Sequence, residues 1–164
     1  MLMNRQDKTD LKRRQFVSSL LCGAITVPFI IPARSFAKEL AITVWKSPTC
    51  GCCKDWITYL EDNGFTVTSH DEGATDAMIR MGMPFAYGSC HTASIEGYAI
   101  EGHVPVREIL RLLDERPDAV GISVPAMPRG SPGMDGPMYG GVKDPYDVLL
   151  IDHDGEATVF QSYR

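Results

Sequence analysis

The stretch AITVWKSPTCGCCKDW, residues 41–56, leads from a β-rich apolar run into three thiols and on into a helix-like segment. Ala41 to Trp45 reads as a buried strand, and Ser47-Pro48 ends it. Trp56, Ile57, Tyr59 and Leu60 then give an apolar side to a helix from about Cys53 to Asn63, with Gly64 as its stop. Cys50, Cys52 and Cys53 therefore fall where a strand gives way to a helix. A fourth cysteine, Cys90, follows 37 residues after Cys53.

The compartment decides what such thiols can become. Residues 1–37 carry Lys12, Arg13 and Arg14, then an apolar run from Val17 to Ile31, then Ser35-Phe36-Ala37. A basic region, a 15-residue apolar stretch and a small-residue exit make a secretory signal too short for a membrane span. Arg13-Arg14 followed by Gln15-Phe16-Val17 resembles a twin-arginine signal. The expectation is cleavage after Ala37, a mature domain at 38–164, a periplasmic location and no membrane attachment after cleavage. Cys22 lies mid-way along the apolar run behind the bulky Leu21, which does not suit a lipid-modified cysteine. Removal of residues 1–37 leaves 10 basic and 19 acidic residues. No basic stripe survives, and nucleic acid is not expected as a partner.

An exported chain with four cysteines ordinarily forms two structural disulfides. Three thiols within one turn are too crowded to staple distant parts of a fold. Cys50 and Cys53 can close a small ring, but Cys52 then has only Cys90 as a partner.

Downstream, Phe65 to Ser69 alternates as a second strand, and Thr75 can cap a short helix through Met81. His91–Ile95 and Tyr98–His103 read as a hairpin turning at Glu96-Gly97. Pro105 opens a third helix striped by Val106, Ile109, Leu112 and Leu113. Strand, helix, strand, helix, hairpin, helix is the order of a thioredoxin-like α/β domain: a central mixed sheet with flanking helices, here followed by a Gly/Pro/Met-rich loop and short strands. In that arrangement the loop entering the hairpin faces the first helix, which brings Cys90 to the trio. Pro84 lies seven residues too early to match the cis-proline of thioredoxin-like folds.

Thiols at a helix N-terminus are biased toward thiolate, which is both the nucleophilic and the metal-binding form. Lys46 and Lys54 add to that bias. A dithiol oxidoreductase needs only two sulfurs, and a third offers a wrong disulfide partner. A single zinc is awkward for adjacent Cys52 and Cys53, whose side chains diverge. Bridging thiolates remove the difficulty, and soft sulfur selects Cu(I).

Other donors have duller alternatives. His91 follows Cys90, but strand alternation would send neighbours to opposite faces. His103, before Pro105, can equally be a buried hydrogen-bonded imidazole. His70 and His153 read as strand-end and turn residues. Residues 125–141, PAMPRGSPGMDGPMYGG, contain nine Gly or Pro among 17 and cannot form a helix or central strand. Met127 and Met134 on this loop are either soft thioether ligands or flexible packing over the first helix, and Met138 is a weaker candidate. Met78, Met81 and Met83 have core spacing. Trp45 and Trp56 would supply an apolar flank to the thiols.

CGCCKDW, SCHTA, GYAIEGHVP, MPRGSPGM and DPYDVLLID together resemble the CopG-type copper-resistance family over about residues 41–160. The resemblance implies a thioredoxin-like fold, a periplasmic location and a cysteine-bridged multi-copper cluster on Cys50, Cys52, Cys53 and Cys90. His91, His103, Met127 and Met134 lie inside its motifs. The expected function is an exported protein that holds Cu(I) and contributes to copper resistance or copper redox handling. Copper efflux or other periplasmic copper-handling proteins are the expected partners. A thioredoxin-type thiol–disulfide oxidoreductase, with Cys50 attacking and Cys53 resolving, is one alternative; a copper metallochaperone is another.

Overall fold

The computed structural model describes residues 39–164, so the signal reading of residues 1–37 lies outside the described residues. Ten main elements follow one another: β1 (Leu40–Lys46), α1 (Gly51–Asp62), β2 (Phe65–His70), α2 (Thr75–Arg80), β3 (His91–Ile95), β4 (Tyr98–Gly102), α3 (Val106–Glu115), β5 (Gly121–Val124), β6 (Tyr146–Ile151) and β7 (Ala157–Tyr163). The strands form one mixed sheet in the order β2-β1-β3-β4-β5-β6-β7. β1 runs parallel to β2 and β4 to β5, while the remaining neighbours are antiparallel. The α/β class, the mixed sheet and the order of the first seven elements agree with expectation. Among the described residues no helix is long and apolar enough to cross a membrane.

Alternation along the strands divides the buried residues between two sheet faces. Ile42 and Val44 of β1, Ala93 and Ile95 of β3, Ile100 of β4 and Ile122 of β5 share a core with Trp56 and Leu60 of α1 and with Val106, Ile109 and Leu112 of α3. Ala99 of β4 and Ile151 of β6 face the other way, where Met78 and Met83 join them in a smaller cluster. Met78, Met81 and Met83 are thus packing residues, as their spacing suggests. Complete burial of a large aliphatic side chain contributes about 1.5–3 kcal/mol. The larger cluster therefore holds α1 and α3 firmly on one face.

Two helix starts differ from the sequence reading. α1 begins at Gly51, with Cys50 as its N-cap: the Cys50 sulfur accepts the Cys53 amide at 3.3 Å. A thiol is not among the usual capping side chains, so the boundary was not readable there. Cys52 and Cys53 both occupy the first turn. α2 is preceded by Ala74, and Thr75 is its first residue rather than its cap.

Trp45 points to the α2 side, stacked on His70 at 5.5 Å with Arg80 over its ring. Only Trp56 flanks the thiol region. Its indole N–H donates to the Val104 carbonyl at 2.9 Å, and its ring lies 4.3 Å from that of His91. Trp56→Phe leaves that carbonyl unpaired and a void beneath His91, and is expected to cost about 2–3 kcal/mol. Urea denaturation checks this; an unchanged midpoint would show that the indole is not a keystone.

Candidate metal centre

Four thiol-bearing residues meet at the N-terminus of α1. Cys50 caps the helix, Cys52 and Cys53 sit in its first turn, and Cys90 occupies the residue before β3. Their sulfurs all lie within 4.8 Å of one another. Cys50 and Cys53 are joined by a disulfide, and Cys52 and Cys90 are free. The Cys52 sulfur stands 3.6 Å from that of Cys50. Sequence reasoning brought the four sulfurs together but expected four thiolates rather than this oxidised pair.

Cys90 also belongs to a second group. Its sulfur lies 3.3 Å from His91 Nδ1 and 3.1 Å from His103 Nε2, and the three donor atoms are within 4.8 Å of one another. Alternation did not keep His91 away because Cys90 precedes the strand, which starts at His91. His103 is aimed by Gly102, whose φ of +73° turns the chain out of β4. A side chain at Gly102 would meet the Val124 carbonyl oxygen at 2.4 Å and the Ser89 hydroxyl at 2.7 Å. The His103 Nδ1 is 2.8 Å from the Pro132 carbonyl oxygen. Because a carbonyl only accepts, Nδ1 carries the hydrogen and Nε2 presents its lone pair to Cys90.

Burial governs the titration of these groups. The Cys90 thiol is pushed up to about 12, first by burial and then by Cys52. His91 is driven down to about 3 by burial and by its neighbour His103. Burial also lowers His103, against the pull of the Pro132 carbonyl. Lys46, the last residue of β1, does not offset this: it is buried and paired with Asp71. Cys90, His91 and His103 are each held neutral, a state that suits soft-metal coordination once a cation supplies the charge that removes the Cys90 proton.

The methionine loop closes one side. Met127, 47% exposed, puts its sulfur 4.0 Å from that of Cys52. Ala126 before it has a φ of +62°, and its carbonyl accepts the Ser89 hydroxyl. Met134 is buried, and its neighbour Gly133 approaches α1 so closely that a Cβ would meet Trp56 N at 2.7 Å and Cys52 O at 2.8 Å. Met138 is 81% exposed. His70 stacks on Trp45 and His153 bonds Asp118 at 3.1 Å, both outside the thiol group.

Glu101 was missed. Wholly buried, it accepts the Ser89 amide at 2.6 Å and the Thr92 hydroxyl at 2.7 Å, and so anchors the loop that carries Cys90. Its only sequence signal is an acid in a β-rich run. Burial raises it from 4.5 to about 7, against the Thr92 and Ser89 hydrogen bonds.

A search of the solved structures places the chain among known proteins. "Copper resistance protein copG- Form 2" is 48% identical, with a TM-score of 0.71 over 77% of this chain and 100% of that one. The chain belongs to the CopG copper-resistance family. A second structure, "Copper resistance protein copG- Form 1", is 49% identical, with a TM-score of 0.70 over 77% of this chain and 98% of that one. Residues 87–134 also match the family described as "Protein of unknown function, DUF411". No curated protein sequence matches. The DUF411 match contains Cys90, both buried histidines, Met127 and Met134, but not the CxCC trio of this CopG-family chain.

The raised Glu101 has a defined signature. Between about pH 4.5 and 7 the folded state retains a proton that the unfolded chain has released, so Glu101 contributes stability that is lost as pH rises through this window. His91 runs the other way, with stability gained from about pH 3 to 6.5. The difference between wild type and Glu101→Gln isolates the first effect. The variant is expected to gain on wild type by about 2–3 kcal/mol from pH 4.5 to 7.5 in denaturation of the metal-free protein. Parallel curves would rule out a buried carboxyl with this history.

Proposed function

We propose that the protein is an exported copper-binding protein that holds Cu(I) as a thiolate-bridged multinuclear cluster and contributes to copper resistance. Residues 1–37 act as the twin-arginine-type signal and 38–164 as a single thioredoxin-like metal-binding domain in the periplasm. The observation that carries the reading is the double membership of Cys90. Its sulfur belongs both to a four-sulfur group and to a group with two imidazoles, and one sulfur serving two donor sets is what a bridge between metal ions requires. Cys50, Cys52, Cys53 and Cys90 are the cluster thiolates. His91 and His103 complete the buried side, with Met127 as the exposed soft donor. The name of the family's solved members, copper resistance protein, supports copper as the cargo, and sulfur with imidazole supports its monovalent state.

After anaerobic reduction, loading with Cu(I) and desalting, the protein is expected to retain more than one copper per chain, with short metal–metal distances in X-ray absorption. Cys90→Ser should reduce the count and remove those distances. A copper-to-protein ratio near zero for the reduced wild type would end the proposal.

The disulfide at the start of α1 favours a second reading, a thiol–disulfide oxidoreductase in which Cys50, once reduced, attacks and Cys53 resolves. That reading requires turnover on a disulfide substrate that is abolished in Cys50→Ser and preserved in Cys90→Ser.

A further inference from the structure

The disulfide splits the donors into two sets. Cys50 and Cys53 are consumed by it, which leaves no four-thiolate site while it persists. Cys90, His91 and His103 are untouched, and their donor atoms already converge. We propose that the disulfide-closed protein keeps a one-ion site, formed by Cys90 Sγ, His91 Nδ1 and His103 Nε2, which holds a single Cu(I). The inference rests on the copper-binding reading for the identity of the metal, and concerns what remains of that site after oxidation.

Three observations support it. The first is spacing. Bonds of about 2.0–2.1 Å to imidazole and 2.3 Å to thiolate put ligand atoms roughly 3.5 Å apart. Here sulfur to nitrogen is 3.1 and 3.3 Å, a few tenths of an ångström short of that spacing, and the two nitrogens lie within 4.8 Å of each other. The second is orientation. His103 is already fixed in the tautomer that presents Nε2 as a lone pair, because Nδ1 donates to the Pro132 carbonyl. An outer partner of this kind is the common device for aiming a metal-binding imidazole.

The third is an unpaid polar group. His91 is fully buried; its Nε2 makes no hydrogen bond of normal geometry, and the Gly102 backbone is the polar group that acts on the ring. With no ion present, the Cys90 thiol has one hydrogen to share between two imidazoles. An ion bound by Nδ1 and sulfur replaces that unbalanced arrangement with two coordinate bonds. The fold already tolerates the orphaned Nε2, so the binding energy need not be spent on creating it. Trp56, packed 4.3 Å from the His91 ring, leaves the imidazole no room to swing away. Access is from the Cys90 side, since both histidines are buried while Cys90 is partly exposed.

Closure of the Cys50–Cys53 bond, which passes two electrons and two protons to a disulfide acceptor, would therefore strip the centre down without emptying it. The last ion marks where rebuilding starts once a dithiol donor returns the two electrons and protons to Cys50 and Cys53. Copper content then reports the thiol state of the first turn of α1.

The experiment uses the processed protein, from which Cys22 has been removed with residues 1–37, with its Cys50–Cys53 bond formed quantitatively, verified by alkylation of Cys52 and Cys90 alone. Cu(I) is supplied anaerobically as its acetonitrile complex without thiol reductant, and titrated against a chromogenic chelator. One copper per chain is expected, with imidazole scattering in X-ray absorption. His153→Gln, outside the thiol group, should retain one ion. His103→Gln and Cys90→Ser should each weaken binding by more than about 100-fold, beyond the 10–100-fold typical of losing an outer partner. Circular dichroism of each variant excludes loss of the fold as the cause. No copper on the oxidised wild type, or one ion that survives in both His103→Gln and Cys90→Ser, overturns the inference. Reduced wild type is titrated in parallel and reads the cluster proposal separately. Several ions when reduced and none when oxidised would leave the cluster standing and remove the one-ion site. One ion in both states, lost in His103→Gln, would do the reverse.

Discussion

The Cys90 sulfur lies beside the first turn of α1 because β3 is the antiparallel neighbour of β1 in the sheet, with its start opposite the end of β1. β1 places the start of α1 at its C-terminal end, and β3 pairs antiparallel to β1 with Lys46 opposite His91. The residue before β3 therefore arrives at the same end of the sheet as the residues after β1. Trp56, Leu60, Ile109 and Leu112 lock the helices over that face. A register slip of one residue between β1 and β3 would send His91 to the opposite face and carry Cys90 away from the trio.

Around this convergence the chain is built to bring polar groups inside without leaving many unpaired. Glu101 receives the Ser89 amide and the Thr92 hydroxyl; Pro132 receives His103; Ala126 receives the Ser89 hydroxyl. Ser89 thus ties the Cys90 loop both to β4 and to the methionine loop. Two close approaches, at Gly102 and Gly133, let the backbone come where a Cβ could not fit. Among the described residues only His91 Nε2 and Glu108 Oε2 are buried side-chain atoms without a hydrogen bond. Arg107 and Arg111 stand beside the Glu108 carboxylate. His91 Nε2 has no such charged company, and the other nitrogen of the same ring, Nδ1, lies in the donor group with Cys90 and His103. That placement sets it apart from an ordinary packing histidine.

Much of the frame was legible because it follows from local pattern. The strand before CxCC, the apolar side of α1, the Glu96-Gly97 turn and Pro105 before α3 are short-range signals, and each matches an element of the sheet or its helices. Details that depend on distant partners were not legible. Trp45 carried the same aromatic signal as Trp56 but faces α2, because alternation in β1 places it out of phase with Ile42 and Val44. The Cys50–Cys53 bond could not be chosen from spacing alone, since four cysteines allow three pairings. Glu101 gave no sign of burial because its partners are an amide and a hydroxyl from β3 and the loop before it. Met127 was readable as a soft donor, but its contact with Cys52 depends on a left-handed residue, Ala126, that no glycine announces.

The Cys50–Cys53 disulfide and the proposed thiolate centre are competing uses of the same sulfurs. Cys50 and Cys53 are close enough to bond in the first turn of α1, yet remain in the four-sulfur group with Cys52 and Cys90. Cys90 stands outside that exchange because it belongs to a different element and is held by two histidines. This division gives the extra cysteine of CxCC a physical purpose. Cys52 remains free when its neighbours are oxidised, with the Met127 thioether 4.0 Å away on the solvent side. The Cys50–Cys53 disulfide is thus flanked by the buried His91 and His103 on one side and by the free Cys52 with the exposed Met127 thioether on the other.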